Sequence, residues 1–258
     1  MIKIFIITER RADYSRFKPI MNLIKQDESL DYILAVTGAH LKKEMGYTKE
    51  EILRDEFKIH FEIDMFEENN DSGGAMVRSF AKVAEKVTYC LAKSRPDLIL
   101  SGFDIGANLA VTIAGAHMNI PVAHIQGGEV TGTIDESIRH AMSKFSHYHF
   151  ASNTDAVERL VKLGELRERI FNVGCPSIDA ILDTQDNSKI LSEFNLKENN
   201  YFILLQHPVT SEIKHSKRQI QITLSAIKKS DINALIILPN NDAGYSKIIS
   251  ELKHSKIQ

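Results

Sequence analysis

Residues 120–140, with the sequence IPVAHIQGGEVTGTIDESIRH, place a short apolar run, a glycine pair and an amphipathic stretch in direct succession. The run Ile120–Gln126 predicts a buried strand, and the spacing of apolar residues over Thr133–Phe145 predicts a helix. Gly127 and Gly128 lie between them. A strand that enters a helix through a short glycine-containing loop is typical of a βαβ unit, so this stretch predicts a parallel sheet covered by helices.

The same alternation runs through most of the chain. Further strands are predicted at Ile2–Thr8, Tyr32–Thr37, Lys58–Ile63, Leu98–Leu100, His147–Ser152 and Ile170–Val173. Further helices are predicted at Arg16–Lys25, Ala75–Lys93, Leu109–His117 and Asp155–Leu163. The predicted fold class is therefore α/β, with a parallel sheet and right-handed crossover connections.

A change of composition near residues 183–200 predicts a boundary between an N-terminal domain, 1–183, and a C-terminal domain, 200–258. The C-terminal part contains two strand–helix pairs, with strands at Tyr201–Leu205 and Ala234–Leu238 and helices at Gln219–Lys229 and Tyr245–Leu252. Two such pairs leave sheet edges and apolar faces uncovered, so the second domain is expected to be incomplete. Residues 67–74 are polar and contain glycines, which predicts a mobile surface loop.

The composition argues against nucleic-acid-binding, membrane and disulfide-framework proteins. The 258 residues carry 32 basic and 34 acidic side chains, so no basic excess indicates a nucleic-acid partner. Cys90 and Cys175 are too few for a disulfide framework and are expected to be buried thiols in a reducing cytoplasm. No apolar run approaches the ~20 residues of a membrane span, and the N-terminal run is too short for a signal peptide.

Candidate ligand contacts follow the strands, because open parallel sheets bind ligands beyond the carboxyl ends of their strands. Arg11 and Asp13 follow the first strand. They form either a solvated turn with a helix cap near Asp13, or an arginine and a helix N-terminus that face an anion. Asp104 follows a later strand and serves either as a helix cap or as an acid–base group. His207 follows another strand, and its role is structural, or it binds a phosphate, or it carries a proton.

The densest group of candidates lies in His124–His140, which contains three glycines, three carboxylates, two histidines and one arginine. On the predicted helix, Asp135 lies four residues before Arg139, and Glu136 four before His140, so both pairs predict surface ion pairs. The glycines permit close backbone approach to a ligand. Surface ion pairs do not explain why carboxylates gather after a buried strand, so this segment is the leading candidate for a functional site.

Other local patterns carry less information. His147 and His149 lie on one face of a predicted strand, but no third ligand has a suitable spacing, so packing and hydrogen bonding are favoured over a metal site. The chain contains no GxGxxG, P-loop or GxSxG motif, which argues against simple nicotinamide, NTPase and α/β-hydrolase functions. Neither a metal nor a cofactor is expected.

Several segments together resemble the hydrolysing UDP-N-acetylglucosamine 2-epimerases of sialic-acid and legionaminic-acid biosynthesis. The resemblance covers nearly the whole chain and is carried by Arg11–Ser15, His124–His140, Gly174–Ser177, Gln206–Thr210 and Pro239–Gly244. It implies a glycosyltransferase-B-like fold of two Rossmann-like domains, with the UDP-sugar in the cleft between them. It also implies elimination of UDP across C1–C2 to give a glycal, then addition of water to release N-acetylmannosamine or an analogous sugar. A homodimer is expected.

The resemblance also implies roles for individual residues. Asp104 and Asp135 match acid–base carboxylates, His207 matches the histidine at the nucleotide phosphates, and Arg11 matches an arginine that faces the nucleotide. Substrate contacts are predicted at Arg11, Asp13, Ser15, Gln126, Gly127, Gly128, Glu136, Arg139, Asn240 and Asp242.

Gln126 departs from the pattern of the family, which commonly has glutamate there. A glutamine cannot take a proton, so either Glu129 assumes that work, or this subgroup uses another acid–base set, or the activity is weakened. Residues 102–105, Gly-Phe-Asp-Ile, also lack the basic groups of the family's His-Gly-Asp-Arg segment. An apolar rim of Phe103 and Ile105 would suit a deoxysugar such as a UDP-2,4-diacetamido-trideoxyhexose.

The C-terminal Ser/Gly-rich and acidic segment that holds the UDP diphosphate in the family has no counterpart before Gln258. Because remote binding energy supports the chemical step, these 258 residues alone are expected to show little or no turnover. The alternative functions are a non-catalytic binding or regulatory module and a glycosyltransferase of the same fold.

Overall fold

The computed structural model describes residues 1–66, 71–184 and 189–255. The chain forms two compact units, each considered by itself below. Unit 1 comprises Met1–Glu67 and Val77–Asp183, and unit 2 comprises Glu68–Met76 and Thr184–Gln258.

Unit 1 contains a seven-stranded parallel sheet with the strand order β3-β2-β1-β4-β5-β6-β7. The strands are β1 (Ile2–Thr8), β2 (Leu30–Thr37), β3 (Ile59–Ile63), β4 (Leu98–Gly102), β5 (Val122–Ile125), β6 (Tyr148–Ala151) and β7 (Ile170–Asn172). The helices are α1 (Arg11–Gln26), α2 (Lys49–Arg54), α3 (Gly73–Ser94, whose first turn belongs to unit 2), α4 (Gly106–His117), α5 (Ile134–Phe145), α6 (Thr154–Lys162) and α7 (Pro176–Leu182). The predicted α/β class is confirmed.

Both faces of this sheet are covered, which explains the nearly continuous apolar sequence of its strands. Phe5 and Ile7 of β1 belong to a core cluster with residues of α3 and α4, whereas Ile4 and Ile6 belong to a second cluster with residues of α1. Alternate residues of one strand therefore contribute to two separate cores, as the two-residue period of a strand requires.

The strand order reverses direction between β1 and β4. From β1 the chain proceeds outward through β2 and β3 on one side, and from β4 outward through β5, β6 and β7 on the other. Ile4, Phe5 and Ile6 lie in register with Leu98, Ile99 and Leu100 across this junction. Loops that leave adjacent strands in opposite directions open a crevice at their carboxyl ends, which is where doubly wound sheets bind ligands.

Unit 2 contains two parallel strands, β8 (Tyr201–Leu205) and β9 (Asn233–Ile237). Its helices are α8 (Lys189–Glu193), α9 (Ser216–Ser230) and α10 (Tyr245–His254). Leu204 packs with Ile220 of α9 and Ile248 of α10, whereas Ile203 on the opposite face is 62 % exposed. The sequence-based expectation of an uncovered apolar face on this short sheet is therefore met among the described residues.

Several element boundaries differ from the predictions. Helix α1 begins at Arg11 rather than Arg16, because the Asp13 side chain accepts the backbone N–H of Arg10 and secures its first turn. Helix α7 was not predicted, although Pro176 occupies its first turn, where proline is favoured. Gly73 and Gly74 lie in α3 rather than in a loop, whereas Asp71 and Ser72 precede the helix outside any regular element. Positions 67–70 of that predicted loop lie outside the described residues.

Among the helices that the structure describes, none is both long enough and apolar enough to cross a lipid bilayer.

Candidate functional site

The loop after β1 is organised by a buried carboxylate. Asp13 is fully buried, and its side chain accepts hydrogen bonds from the backbone N–H of Glu9 at 2.8 Å and of Arg10 at 2.9 Å, and from the Thr8 hydroxyl at 2.9 Å. Burial raises the pKa of Asp13, and these hydrogen bonds oppose that rise. Asp13 is the third residue of α1 and not its cap, which corrects the first of the two interpretations given for this loop.

Behind Asp13, a chain of buried hydrogen bonds runs through a neutral histidine. His40 is fully buried, and burial lowers the pKa of its imidazole to about 4. Its Nε2 lies 2.9 Å from the Thr8 hydroxyl and its Nδ1 lies 2.7 Å from the Thr48 hydroxyl. Because Thr8 donates to Asp13, Nε2 carries the proton and donates to Thr8, while Nδ1 accepts from Thr48.

Glu9, which the sequence analysis did not single out, is also buried in this loop. It accepts the backbone N–H of Ala107 at 3.1 Å, at the N-terminus of α4, and forms an ion pair with Arg10. This carboxylate therefore occupies the positive end of α4. By contrast, Arg11 on the first turn of α1 and Ser15 at the start of the second turn are exposed.

The loop after β4 holds Phe103 in a left-handed conformation, with φ at +69°. Its ring is 1 % exposed, packs against the Phe17 ring at a centroid distance of 5.2 Å, and has the Arg16 guanidinium 4.6 Å from its centroid. Ile105 is 7 % exposed. The predicted apolar rim of Phe103 and Ile105 is therefore wrong, because both side chains belong to the core.

Asp104 follows Phe103 and keeps a partly exposed side chain. Its carboxylate forms an ion pair with the guanidinium of Arg139 on α5, which also donates to the backbone oxygen of Glu129 at 3.0 Å. Only 5 % of the Arg139 side chain is exposed, so this charge depends on those partners. The predicted surface ion pair between Asp135 and Arg139 is wrong, because Arg139 is buried and pairs with Asp104 instead. Glu136 and His140 do pair as predicted, with Glu136 Oε1 lying 4.0 Å from His140 Nε2.

The two glycines after β5 are required by close packing. A Cβ on Gly127 would lie 2.8 Å from the Ser143 hydroxyl and 2.9 Å from His124 Nδ1. Gly128 has φ at +83°, and a Cβ there would lie 2.3 Å from the backbone oxygen of Ala156. Both glycines therefore bring the loop against the core, and substitution at either position would displace it.

Gln126 and Glu129 meet within this loop. Gln126 Nε2 donates to Glu129 Oε1 at 3.4 Å and to the Sγ of Cys175 at 3.1 Å, and Ser152 donates a hydroxyl hydrogen bond to the same glutamate oxygen. Gln126 is 6 % exposed, whereas Glu129 is half-buried. Cys175 is thus not simply a buried thiol, unlike Cys90. Ser152 and Cys175 were missed, although Ser152 follows β6 and Cys175 comes shortly after β7, positions that the strand-end rule would have flagged.

The first turn of α5 carries the remaining carboxylates of this segment. Asp135 and Glu136 are half-buried, and Asp135 accepts a hydrogen bond from the Thr133 hydroxyl at 2.7 Å. Glu136 accepts the backbone N–H of Thr131 at 2.8 Å. These contacts fix the loop that leads into α5, while both carboxylates keep part of their surface exposed.

In unit 2, three predicted residues gather at the carboxyl ends of β8 and β9. His207 is exposed, and its Nδ1 accepts the backbone N–H of Asn240 at 3.1 Å, so its Nε2 carries the proton when the ring is neutral. Asp242 is half-buried in the same loop. The Asp71 carboxylate accepts the backbone N–H of Ser246 at 3.0 Å, at the N-terminus of α10.

The histidines near β6 have structural partners. His147 Nδ1 accepts the backbone N–H of Val122 at 3.2 Å, and His149 Nε2 lies 3.1 Å from a carboxylate oxygen of Glu165. No group of three or more potential metal ligands occurs among the described residues. Both histidines therefore have hydrogen-bond partners of the kind that the sequence analysis favoured.

Comparison with known proteins identifies the relatives of this chain. The UDP-N-acetylglucosamine 2-epimerase family profile matches residues 22–258. A UDP-N,N'-diacetylbacillosamine 2-epimerase (hydrolyzing) from Legionella pneumophila is 34% identical over 94% of this chain and 65% of its own length. A UDP-N-acetylglucosamine 2-epimerase from Neisseria meningitidis is 34% identical over 98% of this chain and 66% of its own length. The chain thus spans about two thirds of the length of these curated relatives.

Among solved structures, UDP-GlcNAc 2-epimerase from Neisseria meningitidis bound to UDP-GlcNAc superposes with a TM-score of 0.81. It is 18% identical, and the match covers 100% of this chain and 71% of that one. This likeness establishes the fold, which is glycosyltransferase-B-like as predicted. Taken with the profile match over most of the sequence, it leads to one conclusion: the chain belongs to the UDP-N-acetylglucosamine 2-epimerase family.

Proposed function

We propose that the protein is a hydrolysing 2-epimerase of a UDP-N-acetylhexosamine. The main support is that one buried arginine, Arg139, contacts both the Asp104 carboxylate and the backbone oxygen of Glu129. These residues follow β4 and β5, next to the point where the strand order reverses. The activities for which the two relatives at 34% identity are named support the same reaction class. The proposed substrates are UDP-GlcNAc and its 2,4-diacetamido-trideoxy analogue.

The reaction has two steps in this proposal. A carboxylate removes the proton from C2 of the sugar, the C1–O bond breaks with its electron pair going to UDP, and a glycal with a C1=C2 double bond remains. Water then adds its oxygen to C1, and C2 receives a proton on the opposite face. Each step needs a positioned acid or base, and the half-buried carboxylates Asp104, Glu129 and Asp135 are the candidates.

Glu129 takes the role that a glutamate at position 126 would otherwise perform. Gln126 has no ionisable group, but its Nε2 donates to Glu129 Oε1, and Ser152 donates to the same oxygen. Both hydrogen bonds fix the orientation of the Glu129 carboxylate, and a general base must be held in position to take a proton. Gln126 and Asp13 act in this proposal by positioning loops, since both side chains are buried among partners of their own chain.

Each unit, considered by itself, has exposed residues that suit the nucleotide end of a UDP-sugar. Arg11 lies on the exposed first turn of α1 and supplies a positive charge, which suits a diphosphate. His207 has an exposed ring whose Nε2–H can donate to a phosphate oxygen, with Asn240 and Asp242 in the neighbouring loop. Ser15, Gly127, Gly128 and Glu136 complete the proposed substrate contacts. The enzyme is proposed to act as a homodimer.

The test is a product assay with both sugars. The protein purified from its own cells is incubated with UDP-GlcNAc or with the 2,4-diacetamido analogue in D₂O, and NMR follows free UDP, the 2-epimerised sugar and deuterium at C2. The 258 residues alone are assayed beside it and are expected to show little or no turnover. The proposal predicts UDP release together with deuterium at C2 for at least one sugar, and loss of both in Asp104→Asn but not in Asp155→Asn, an exposed carboxylate on α6. Binding of UDP-sugar without turnover would instead favour a binding module, and turnover that depends on an acceptor would favour a glycosyltransferase.

A further inference from the structure

The buried histidine His124 contacts the two segments that carry Asp104 and Arg139. It lies on β5 with no exposed surface. Its Nε2 is 3.3 Å from the backbone oxygen of Phe103, the residue before Asp104. Its Nδ1 is 3.1 Å from the hydroxyl of Ser143, one helical turn after Arg139 on α5. One imidazole ring therefore bridges the β4–α4 loop and helix α5.

The proton positions on this ring follow from its partners. The Phe103 carbonyl can only accept, so Nε2 must carry a proton. Burial lowers the pKa of His124 to about 3, so the ring is neutral and Nδ1 has a lone pair. The Ser143 hydroxyl lies 3.1 Å from Nδ1 and also 3.1 Å from the backbone oxygen of Arg139, so it can satisfy either acceptor. The ring thus donates to the loop through Nε2, and Nδ1 accepts from α5 when the Ser143 hydroxyl donates to it rather than to the Arg139 backbone oxygen.

The loop that His124 contacts is under backbone strain. Phe103 has φ at +69°, a conformation that costs a bulky residue energy unless its surroundings enforce it. Its N–H donates to the backbone oxygen of Ile125 at 3.1 Å and its carbonyl meets His124, so both polar groups of this residue are fixed from β5. The side chain of Asp104 leaves the backbone at the next residue and reaches Arg139.

We propose that His124 is a positioning residue that holds Asp104 and Arg139 in register by bonding the strained loop with one nitrogen and helix α5 with the other. The glycine at position 127 fits this role, because a Cβ there would lie within 3 Å of both His124 and Ser143 and would disturb their contact. Histidine suits the position because it offers a donor and an acceptor on opposite sides of one rigid ring.

The first test measures stability and needs no turnover. Asp104→Asn removes the ion pair, and we expect it to lower the thermal midpoint by about 3 °C in the wild-type background. In the Ser143→Ala or His124→Asn background, the same change is expected to lower the midpoint by less than half as much, because the pair is no longer held in register.

Ser146→Ala is the matched control, since Ser146 is also buried, at the C-cap of α5, and its hydroxyl also donates to the backbone oxygen four residues earlier. In that background Asp104→Asn is expected to keep its full effect. Equal effects of Asp104→Asn in all backgrounds would refute the positioning role. Should His124→Asn fail to fold, the Ser143→Ala cycle decides alone.

The second test rests on the proposed function. Gln at position 124 extends its amide about as far as the imidazole Nε2, whereas Asn reaches only about as far as Nδ1. We therefore expect His124→Gln to retain several-fold more kcat than His124→Asn, with KM changed little in either variant, and neither change to lower kcat further in an Asp104→Asn background. Additive losses of kcat would mean that His124 does not act through Asp104. Absence of turnover in the wild type would overturn the proposed function and leave the stability cycle intact.

Discussion

Asp13 and Asp104 both follow central strands of one parallel sheet, but the structure gives them opposite environments. Asp13 is fully buried, and its oxygens accept hydrogen bonds from the Thr8 hydroxyl and three backbone N–H groups. Asp104 keeps 27 % of its side chain exposed and meets the guanidinium of Arg139. A carboxylate saturated by its own chain can shape a loop, whereas one that remains exposed beside a single cation can also meet a ligand.

The largest expected effect sharpens this comparison at Asp104. In a catalytically active protein, Asp104→Asn is expected to lower kcat roughly 100- to 10,000-fold, because an amide cannot exchange a proton with C2. Steady-state kinetics with the UDP-sugar measure it, and Asp155→Asn serves as the control. A near-wild-type rate would reduce Asp104 to a structural partner of Arg139.

Asp13→Asn is expected to act on stability. The amide group cannot accept from all the donors that the carboxylate serves, so the free energy of unfolding should fall by about 3 kcal/mol. Urea unfolding measures the loss. Asp27→Asn is the control, because Asp27 also accepts a backbone N–H, from Ser29, and is exposed. Comparable losses at both positions would show that burial does not set the cost at Asp13.

The histidine behind Asp13 predicts a pH dependence of stability. The pKa of His40 is about 4 in the folded protein and near 6.5 in the unfolded chain, so the unfolded state binds the extra proton first as the pH falls. Stability is therefore lost as the pH drops from about 6.5 toward 4. The free energy of unfolding should fall by about 2 kcal/mol less between pH 6.5 and 5 when His40 is replaced with Asn.

Urea unfolding at several pH values checks this prediction, with His117→Asn, at an exposed position, as the control. His124, which is also buried with a lowered pKa, contributes a similar loss that His40→Asn should leave in place. An unchanged pH dependence in His40→Asn would mean that the ring is not buried in neutral form.

The smallest expected effect concerns Gln126. Gln126→Glu places a second carboxylate 3.4 Å from Glu129, and mutual repulsion should raise the pKa of one of them by about one unit or more. We expect an upward shift of the acidic limb of the pH–rate profile, so that kcat falls several-fold at the pH values of that limb and changes little at neutral pH. An increase in activity would mean instead that glutamine impairs the site.

Gln221→Glu is a matched control, because Gln221 donates to Glu251 at 2.8 Å on the exposed surface of unit 2. Solvent screens that pair, so the same substitution should leave the pH–rate profile unchanged.

The elements of the sheet were largely predictable, because apolar runs and helical periodicity are local patterns. Strands Ile2–Thr8 and Tyr201–Leu205 were predicted with the bounds observed, and the other predicted strands differ by only a few residues. Helix α7 was missed because only seven residues form it, too few for a periodic pattern. The position of Asp104 at a strand end was also predictable, since the strand before it is apolar.

What the sequence by itself determined is therefore the order of strands and helices, and the set of polar residues that follow them. Only the tertiary structure decided that Phe103 enters the core, that Arg139 turns from Asp135 toward Asp104, and that Asp13 is saturated while Asp104 is not. The reason is physical. The repeat of apolar side chains that marks a helix or a strand involves residues close together in sequence, so the sequence alone reveals it. Burial and the partner of a charge depend on residues that the fold brings together from distant strands and helices.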